Sequence, residues 1–89
     1  MAEYVVLFEK AAQKALRKMD KSQANIIMAW VRKNLEGTDD PRRSGKPLVA
    51  DQKGKWRYRI GDYRLICHIY DVDILVLVLD IGHRRKAYR

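Results

Sequence analysis

The feature that most constrains this chain is a hairpin pattern between residues 56 and 70. Two runs of β-type residues, Trp56–Ile60 and Tyr63–Tyr70, flank the dipeptide Gly61-Asp62. Glycine at the first position of a two-residue turn is typical of a tight β-hairpin. This turn pairs Ile60 with Tyr63, Arg59 with Arg64, Tyr58 with Leu65 and Arg57 with Ile66.

A strand and two helices are predicted before this hairpin in the chain, and one more strand is predicted after it. The sequence predicts a strand at Tyr4–Phe8. It predicts a helix at Glu9–Met19, because apolar residues recur in that range at helical spacing. Asp20 is a candidate N-cap for a second helix that ends at Gly37. A long, basic, turn-rich connection follows to Lys55. With a last strand at Ile74–Ile81, the order is β-α-α-β-β-β.

This order predicts an α+β fold in which a helical hairpin packs on one face of a small, mostly antiparallel, twisted sheet. The 89 residues are expected to form one domain, 1–89. A three-residue turn at Asp71–Asp73 would pair Cys67 with Leu77 and Arg64 with Asp80. Because side chains alternate between the two faces of a strand, Leu75, Leu77 and Leu79 are expected on the buried face. Leu77→Ala is therefore expected to lower the free energy of unfolding by about 2–5 kcal/mol.

The opposite face collects three arginines, Arg57, Arg59 and Arg64, with Arg59 and Arg64 directly facing each other. Like charges at facing positions destabilise a sheet unless a carboxylate or an anionic ligand neutralises them. Asp80 can supply only one negative charge. The alternative is a solvated face with an ordinary Arg64–Asp80 ion pair, worth under about 1 kcal/mol.

Composition narrows the classes of partner. The net charge is +8, from 19 Lys and Arg against 11 Asp and Glu, which suits nucleic acid, an acidic protein or an anionic membrane surface. One cysteine and two histidines argue against a disulfide framework and a metal site built by the protein, and no cofactor is expected. No signal peptide is visible, and the longest apolar run is far too short to span a bilayer, so a cytoplasmic location without membrane association is expected.

The chain ends in a basic segment that leaves the predicted sheet near the arginines. Arginine forks suit phosphate oxygens, and a tyrosine ring can stack on a base. The arginines and this segment together have the character of a single-stranded nucleic-acid site. The alternative is a frayed, solvated terminus. In this segment Arg84 and Tyr88 would join the strand arginines. The candidate RNA-binding residues are Arg85, Lys86 and Arg89, with Lys46, Lys53 and Lys55 as further candidates in the connection.

Three stretches resemble the RelE/ParE superfamily of toxins, and the RelE branch in particular. They are Gly45-Lys46-Pro47-Leu48, the run Trp56-Arg57-Tyr58-Arg59-Ile60-Gly61-Asp62-Tyr63-Arg64-Leu65-Ile66, and the terminal Leu79-Asp80-Ile81-Gly82-His83-Arg84-Arg85-Lys86-Ala87-Tyr88-Arg89. The order of elements also matches, so the resemblance covers essentially the whole chain.

The resemblance implies a ribosome-dependent endoribonuclease, the toxin of a type II toxin–antitoxin pair. Such toxins cut mRNA in the ribosomal A site through attack of the 2′-hydroxyl on the adjacent phosphate, without a metal. The implied partners are a cognate RelB-like antitoxin, the 70S ribosome with its 16S rRNA, and mRNA. Operator DNA would be contacted only through the antitoxin.

The resemblance also implies catalytic roles. Arg57 and Arg59 match a basic pair that binds the backbone and stabilises charge, and Arg64 matches the arginine that grips the scissile phosphate. Arg84 matches an arginine with a similar role or that of general acid, and Tyr88 matches a tyrosine that stacks on a base or assists proton transfer. Best-known RelE members carry lysine where Arg57 and Arg59 stand, so the general base is left to His83, Tyr88 or ribosomal RNA.

The two histidines, His83 and His68, are expected to have different roles. His83 lies in the matched terminal motif, and histidine is the residue type most often used to accept and donate protons near neutral pH, so it is a candidate for proton transfer. The alternative is a backbone or phosphate contact. His68 lies in mid-strand, toward the far end of the open face, and is expected to be structural.

Two other functions remain open at this point. A ParE-type toxin would keep the fold and inhibit DNA gyrase by protein–protein contact, without the catalytic set. A noncatalytic RNA-binding module would bind RNA in a salt-sensitive way without cleavage. Fold alone does not decide between these functions. The presence of all the matched basic residues and of Tyr88 favours the endoribonuclease.

Overall fold

The computed structural model describes residues 2–49 and 54–83 and contains two helices on a five-stranded sheet. The strand order is β1-β5-β4-β3-β2, with β1 parallel to β5 and the other neighbours antiparallel. The predicted α+β class is therefore confirmed. The elements are β1 (Val5–Phe8), α1 (Lys10–Lys18), α2 (Lys21–Asn34), β2 (Lys46–Pro47), β3 (Trp56–Ile60), β4 (Tyr63–Tyr70) and β5 (Leu75–His83).

The helices cover one face of the sheet and close the core. Ala12 of α1 and Ile27 and Val31 of α2 are buried, as the helical spacing of apolar residues predicts. They pack in one cluster with β-strand residues such as Leu65 and Tyr58. Neither of these helices is long and apolar enough to cross a membrane.

The β3–β4 hairpin has the predicted register. Arg59 faces Arg64, Arg57 faces Ile66 and Tyr58 faces Leu65 across the two strands. Gly61 has a φ of +59°, which a glycine adopts without steric cost at this position of the turn. The two-residue turn thus fixes which residues of both strands point away from the helices.

The predicted register of β4 and β5 is wrong. Tyr70 faces Leu75 across a four-residue turn that includes Ile74, whereas the sequence indicated a three-residue turn. Contacts from outside the hairpin fix this turn, since Arg42 and Tyr4 bind Asp71 and the N–H of Val5 donates to the carbonyl of Ile74. Local sequence does not encode these contacts.

The new register changes which residues of β5 enter the core. Val76 and Val78 are fully buried, whereas Leu77 is only half-buried on the opposite face. The expectation that Leu75, Leu77 and Leu79 form the buried row is therefore wrong. An irregularity opposite Ile66 and Cys67 then shifts the pairing again, so Ile81 returns to the core.

Candidate nucleic-acid interface

Four cationic residues occupy two neighbouring rows on the sheet face that the helices leave open. In one row Lys46 of β2 faces Arg57 of β3, and in the next Arg59 faces Arg64 of β4. Facing Cα atoms in antiparallel strands lie about 4.5–5.5 Å apart, so each row brings two cations close together. Lys46 and Arg59 are exposed, and Arg57 and Arg64 are half-buried.

The fifth strand contributes a glycine and an aspartate beside this part of β4. Gly82 of β5 faces Arg64, so no side chain from β5 occupies the position beside it. Asp80 faces Ile66, which corrects the predicted pairing of Asp80 with Arg64. The Oδ1 atom of Asp80 accepts the backbone N–H of Ile81 at 2.9 Å. The sheet therefore gathers these cations on one face, and their combined charge is suited to binding an anion.

The residues that alternate with the arginines on β3 hold the connection that carries Lys46. Trp56 donates its indole N–H to the carbonyl of Ser44 at 2.8 Å, and the hydroxyl of Tyr58 donates to the carbonyl of Pro41. Tyr58 is fully buried, and burial raises the pKa of its hydroxyl far above the ordinary value, so it stays neutral. These two bonds fix the connection along the outer edge of β3.

Gly45 lets the connection approach β3 closely. Its φ is +82°, and a Cβ atom there would lie 2.4 Å from the carbonyl oxygen of Arg57. Only glycine combines this backbone conformation with so close an approach. Lys46 is placed beside Arg57 as a result.

A second set of contacts anchors the same connection at its other end. The guanidinium of Arg42 binds both carboxylate oxygens of Asp71, at 2.9 and 3.1 Å, and Tyr4 donates its hydroxyl to the same carboxylate. The hydrogen bonds from Arg42 and Tyr4 lower the pKa of Asp71. This cluster cannot be found from sequence patterns, because its members are far apart in the chain.

His83 lies on a different face from the arginines. It faces Tyr63 across β4 and β5, and the two rings meet edge to face with centroids 5.2 Å apart. Tyr63 and Arg64 are consecutive strand residues, so their side chains point to opposite faces. The structure thus places His83 on the helix side of the sheet.

His68 packs against an aromatic neighbour. Its ring stacks on Tyr70, with centroids 4.3 Å apart, at the end of β4 away from Arg64. Lys55 lies immediately before β3, and its carbonyl accepts the N–H of Leu48. The other predicted site residues lie outside the described residues: Lys53, Arg84, Arg85, Lys86, Tyr88 and Arg89.

The cluster is suited to one kind of chemistry. Guanidinium groups bind phosphate oxygens through paired hydrogen bonds and keep their charge at every physiological pH. Fixed cations also stabilise negative charge that develops in a transition state. Cys67 is fully buried in the core, and this burial raises the pKa of its thiol to about 12, which keeps the thiol protonated at neutral pH.

Comparison with known proteins identifies the class to which this fold and site belong. The family model described as ParE toxin of type II toxin-antitoxin system, parDE, matches residues 6–88. The toxin RelG of Mycobacterium tuberculosis is 31% identical over 86 residues, which make up 97% of each chain. The toxin RelE of the same organism is also 31% identical over 86 residues, covering 97% of this chain and 87% of that toxin.

Solved structures agree with this assignment. The toxin–antitoxin complex RelBE2 of M. tuberculosis contains a chain that matches with a TM-score of 0.84 and 31% identity, covering 94% of both chains. The isolated E. coli RelE toxin matches with a TM-score of 0.73 and 19% identity, covering 96% of this chain and 88% of that one, which supports the fold alone. The chain belongs to the RelE/ParE superfamily of toxins of type II toxin–antitoxin systems, and the resemblance seen in the sequence is confirmed.

Proposed function

We propose that this toxin is a RelE-type endoribonuclease that cuts mRNA in the ribosomal A site. The observation that carries the proposal is the pair of cationic rows, Lys46 with Arg57 and Arg59 with Arg64, on the open face of the sheet. A surface with this charge, held by a buried and hydrogen-bonded framework, is built to receive a polyanion. The similarity to the toxins RelG and RelE supports the same branch.

The proposed reaction is an internal transfer at an RNA phosphate. The 2′-oxygen gives up its proton and forms a bond to phosphorus, and the bond from phosphorus to the 5′-oxygen breaks. The leaving 5′-oxygen takes up a proton, so the products are a 2′,3′-cyclic phosphate and a 5′-hydroxyl. Extra negative charge accumulates on the phosphate oxygens between these two steps, where fixed cations act most strongly.

We assign the residues to this reaction as follows. Arg64 and Arg59 hold the scissile phosphate and stabilise its charge, and Arg57 and Lys46 bind the neighbouring backbone. Arg84 and Tyr88 would complete the site from the C-terminal segment, with Arg84 beside the phosphate and Tyr88 on a base or in proton transfer. The other RNA-binding candidates are Lys53, Lys55, Arg85, Lys86 and Arg89.

The position of His83 bears on the proton transfers. Its contact with Tyr63 places it on the face opposite Arg64, so it would need to act around the end of the strand. Tyr88 and ribosomal RNA are the other groups proposed for this task. We assign no metal to the reaction, since charge stabilisation is proposed to come from the arginines.

The proposed partners are a RelB-like antitoxin, the 70S ribosome with its 16S rRNA, and mRNA. Solved complexes support the first, because the RelBE2 complex of M. tuberculosis and the RelE–RelB complex of Pyrococcus horikoshii both contain chains that match this toxin. Operator DNA would be contacted only through the antitoxin. Action on ribosomes assigns the toxin to the cytoplasm.

The test uses purified ribosomes programmed with a short mRNA. Added toxin should cut within the A-site codon and leave a 2′,3′-cyclic phosphate, only when ribosomes are present, and equally after EDTA treatment of the toxin. Cleavage of free mRNA at the same rate would contradict ribosome dependence. Intact mRNA on the ribosome would reject the proposed activity.

A second candidate function follows from the ParE name of the matching family. A toxin of that type would inhibit DNA gyrase by protein–protein contact. A supercoiling assay separates the two functions, since the endoribonuclease should leave gyrase activity unchanged. RNA binding without cleavage on ribosomes would instead indicate a noncatalytic RNA-binding module.

A further inference from the structure

A cavity of about 260 Å³ lies at the outer edge of β3, next to the cationic rows. The pairing of β2 with β3 ends where Lys46 faces Arg57, and the cavity is lined by residues on both sides of that point. Trp30 of α2 and Ser44 of the connection contribute to its wall, together with Lys46, Arg57 and Arg59.

Trp30 gives this cavity an aromatic wall. The indole is half-buried and packs against Tyr58, with ring centroids 5.5 Å apart and planes tilted by 53°. A core position would bury the whole indole, yet this ring borders open space at the edge of the sheet. An exposed aromatic surface beside cations is the combination that single-stranded nucleic acids bind, through base stacking and phosphate contacts.

The lining also has the polar groups that a nucleotide requires. Lys46, Arg57 and Arg59 offer positive charge for phosphate, and the hydroxyl of Ser44 can donate to or accept from a base edge or a ribose. The cavity is below the roughly 300–1,000 Å³ of drug-sized pockets, so it suits one nucleotide and not a longer segment.

We infer that this cavity binds a single nucleotide of the RNA, with its base against Trp30. Arg59 belongs both to the cavity and to the row that faces Arg64, so the bound nucleotide is a neighbour of the one whose phosphate is cut. The inference rests on the proposed function for its biological ligand. It adds Trp30 and Ser44 to the RNA-binding surface, and neither residue stands out in the sequence.

The test is a nuclear magnetic resonance titration of the full chain with adenosine 5′-monophosphate. The sequence contains two tryptophans, so the spectrum should show two indole N–H signals. The Trp30 signal should shift in a saturable way with this nucleotide, and much less with ribose 5-phosphate at equal concentration. An unmoved Trp30 signal, or equal shifts with both compounds, would overturn the inference.

A matched pair of variants supplies a second readout. Trp30→Leu should lower the affinity for a short single-stranded RNA about tenfold, whereas Trp30→Phe should retain most of it, since stacking needs an aromatic ring. Equal affinity of Trp30→Leu and wild type would contradict the inference. If Trp30→Leu does not fold, the titration of the wild-type protein decides.

The two proposals fail separately. The titration contains no ribosome, so an absence of mRNA cleavage by the wild-type toxin would reject the proposed function alone. An unmoved Trp30 signal together with normal cleavage would reject the nucleotide cavity alone.

Discussion

Two aromatic residues and two arginines alternate along β3, and the two kinds of side chain point to opposite faces of the sheet. Trp56 and Tyr58 turn toward the helix side and the outer edge, where their hydrogen bonds hold the connection to β2. Arg57 and Arg59 turn toward the open face, where they meet Lys46 and Arg64. One short strand therefore builds the framework with one set of side chains and the candidate site with the other.

This division teaches how a small toxin tolerates a cluster of like charges. Facing arginines such as Arg59 and Arg64 repel each other, so the strands that carry them must be stabilised from elsewhere. The neighbouring buried pair in the same two strands, Tyr58 and Leu65, supplies that stabilisation. Changes on the covered face should therefore affect folding, and changes on the open face should affect activity.

The largest effect is expected from truncation in the covered face. Leu65→Ala should lower the free energy of unfolding by about 2–5 kcal/mol, because Leu65 is fully buried. Leu77→Ala, with the same chemical change at a half-buried position on the other face, should cost clearly less. Urea denaturation of both variants measures the difference, and equal losses would contradict the β5 register.

The next effect concerns the open face. Arg64→Ala should lower the rate of mRNA cleavage on programmed ribosomes by about 10²–10³-fold, the usual loss when one group that stabilises transition-state charge is removed. Its thermal unfolding should match that of wild type. Arg32→Ala, at an exposed position of α2, is the control and should cleave normally. Unfolding of Arg64→Ala would show that this arginine is structural.

A smaller effect tests how the connection is held against β3. Gly45→Ala should destabilise the protein by more than the roughly 1–2 kcal/mol that a left-handed backbone conformation costs, because its Cβ would collide with the carbonyl of Arg57. Gly54→Ala is the matched control, since Gly54 has a φ of +92° but has nothing within 4 Å of the added atom. Equal destabilisation in denaturant melts would show that the close approach has no energetic role.

The smallest effect depends on pH. Hydrogen bonds from Arg42 and Tyr4 lower the pKa of Asp71 in the folded state, so its contribution to stability is complete above the unfolded pKa of about 3.9. That contribution is lost as the pH falls through the lower, folded-state value. Asp71→Asn should therefore lower the melting temperature at pH 7, and the gap to wild type should close below about pH 4.

The control for this prediction is Asp62→Asn, in the exposed turn between β3 and β4. It should leave the melting temperature nearly unchanged at both pH values. A gap for Asp71→Asn that persists undiminished at pH 3 would mean that the charge of Asp71 does not stabilise the fold.

The sequence predicted one hairpin correctly and the other wrongly, and the difference has a physical cause. The β3–β4 turn is local, because Gly61 and Asp62 suffice to define it. The β4–β5 turn depends on Arg42, Tyr4 and Val5, which reach it from distant parts of the chain. The periodicity of apolar residues does not show such contacts. The row of β5 residues predicted to be buried is therefore wrong by one position.

The candidate site divides in the same way. Arg57, Arg59 and Arg64 could be placed on one face from the turn alone. The pairing of Lys46 with Arg57 could not be predicted, because it depends on β2, a strand of two residues inside a segment whose composition is typical of a loop. Gly45 was the available signal, since a glycine can mark a position where another stretch of backbone approaches closely.

The most direct test of the account is the salt dependence of RNA binding. The affinity for a short single-stranded RNA, protected from cleavage by 2′-O-methyl groups, is measured against salt concentration for two double variants of equal charge. Arg59→Gln with Arg64→Gln should reduce the slope by about 1.4, since each phosphate contact on a single strand contributes about 0.7. Arg17→Gln with Arg32→Gln, at exposed helix positions, should leave it unchanged. Equal reductions in both would contradict the account, because RNA would then respond to net charge alone and the open face would not be its site.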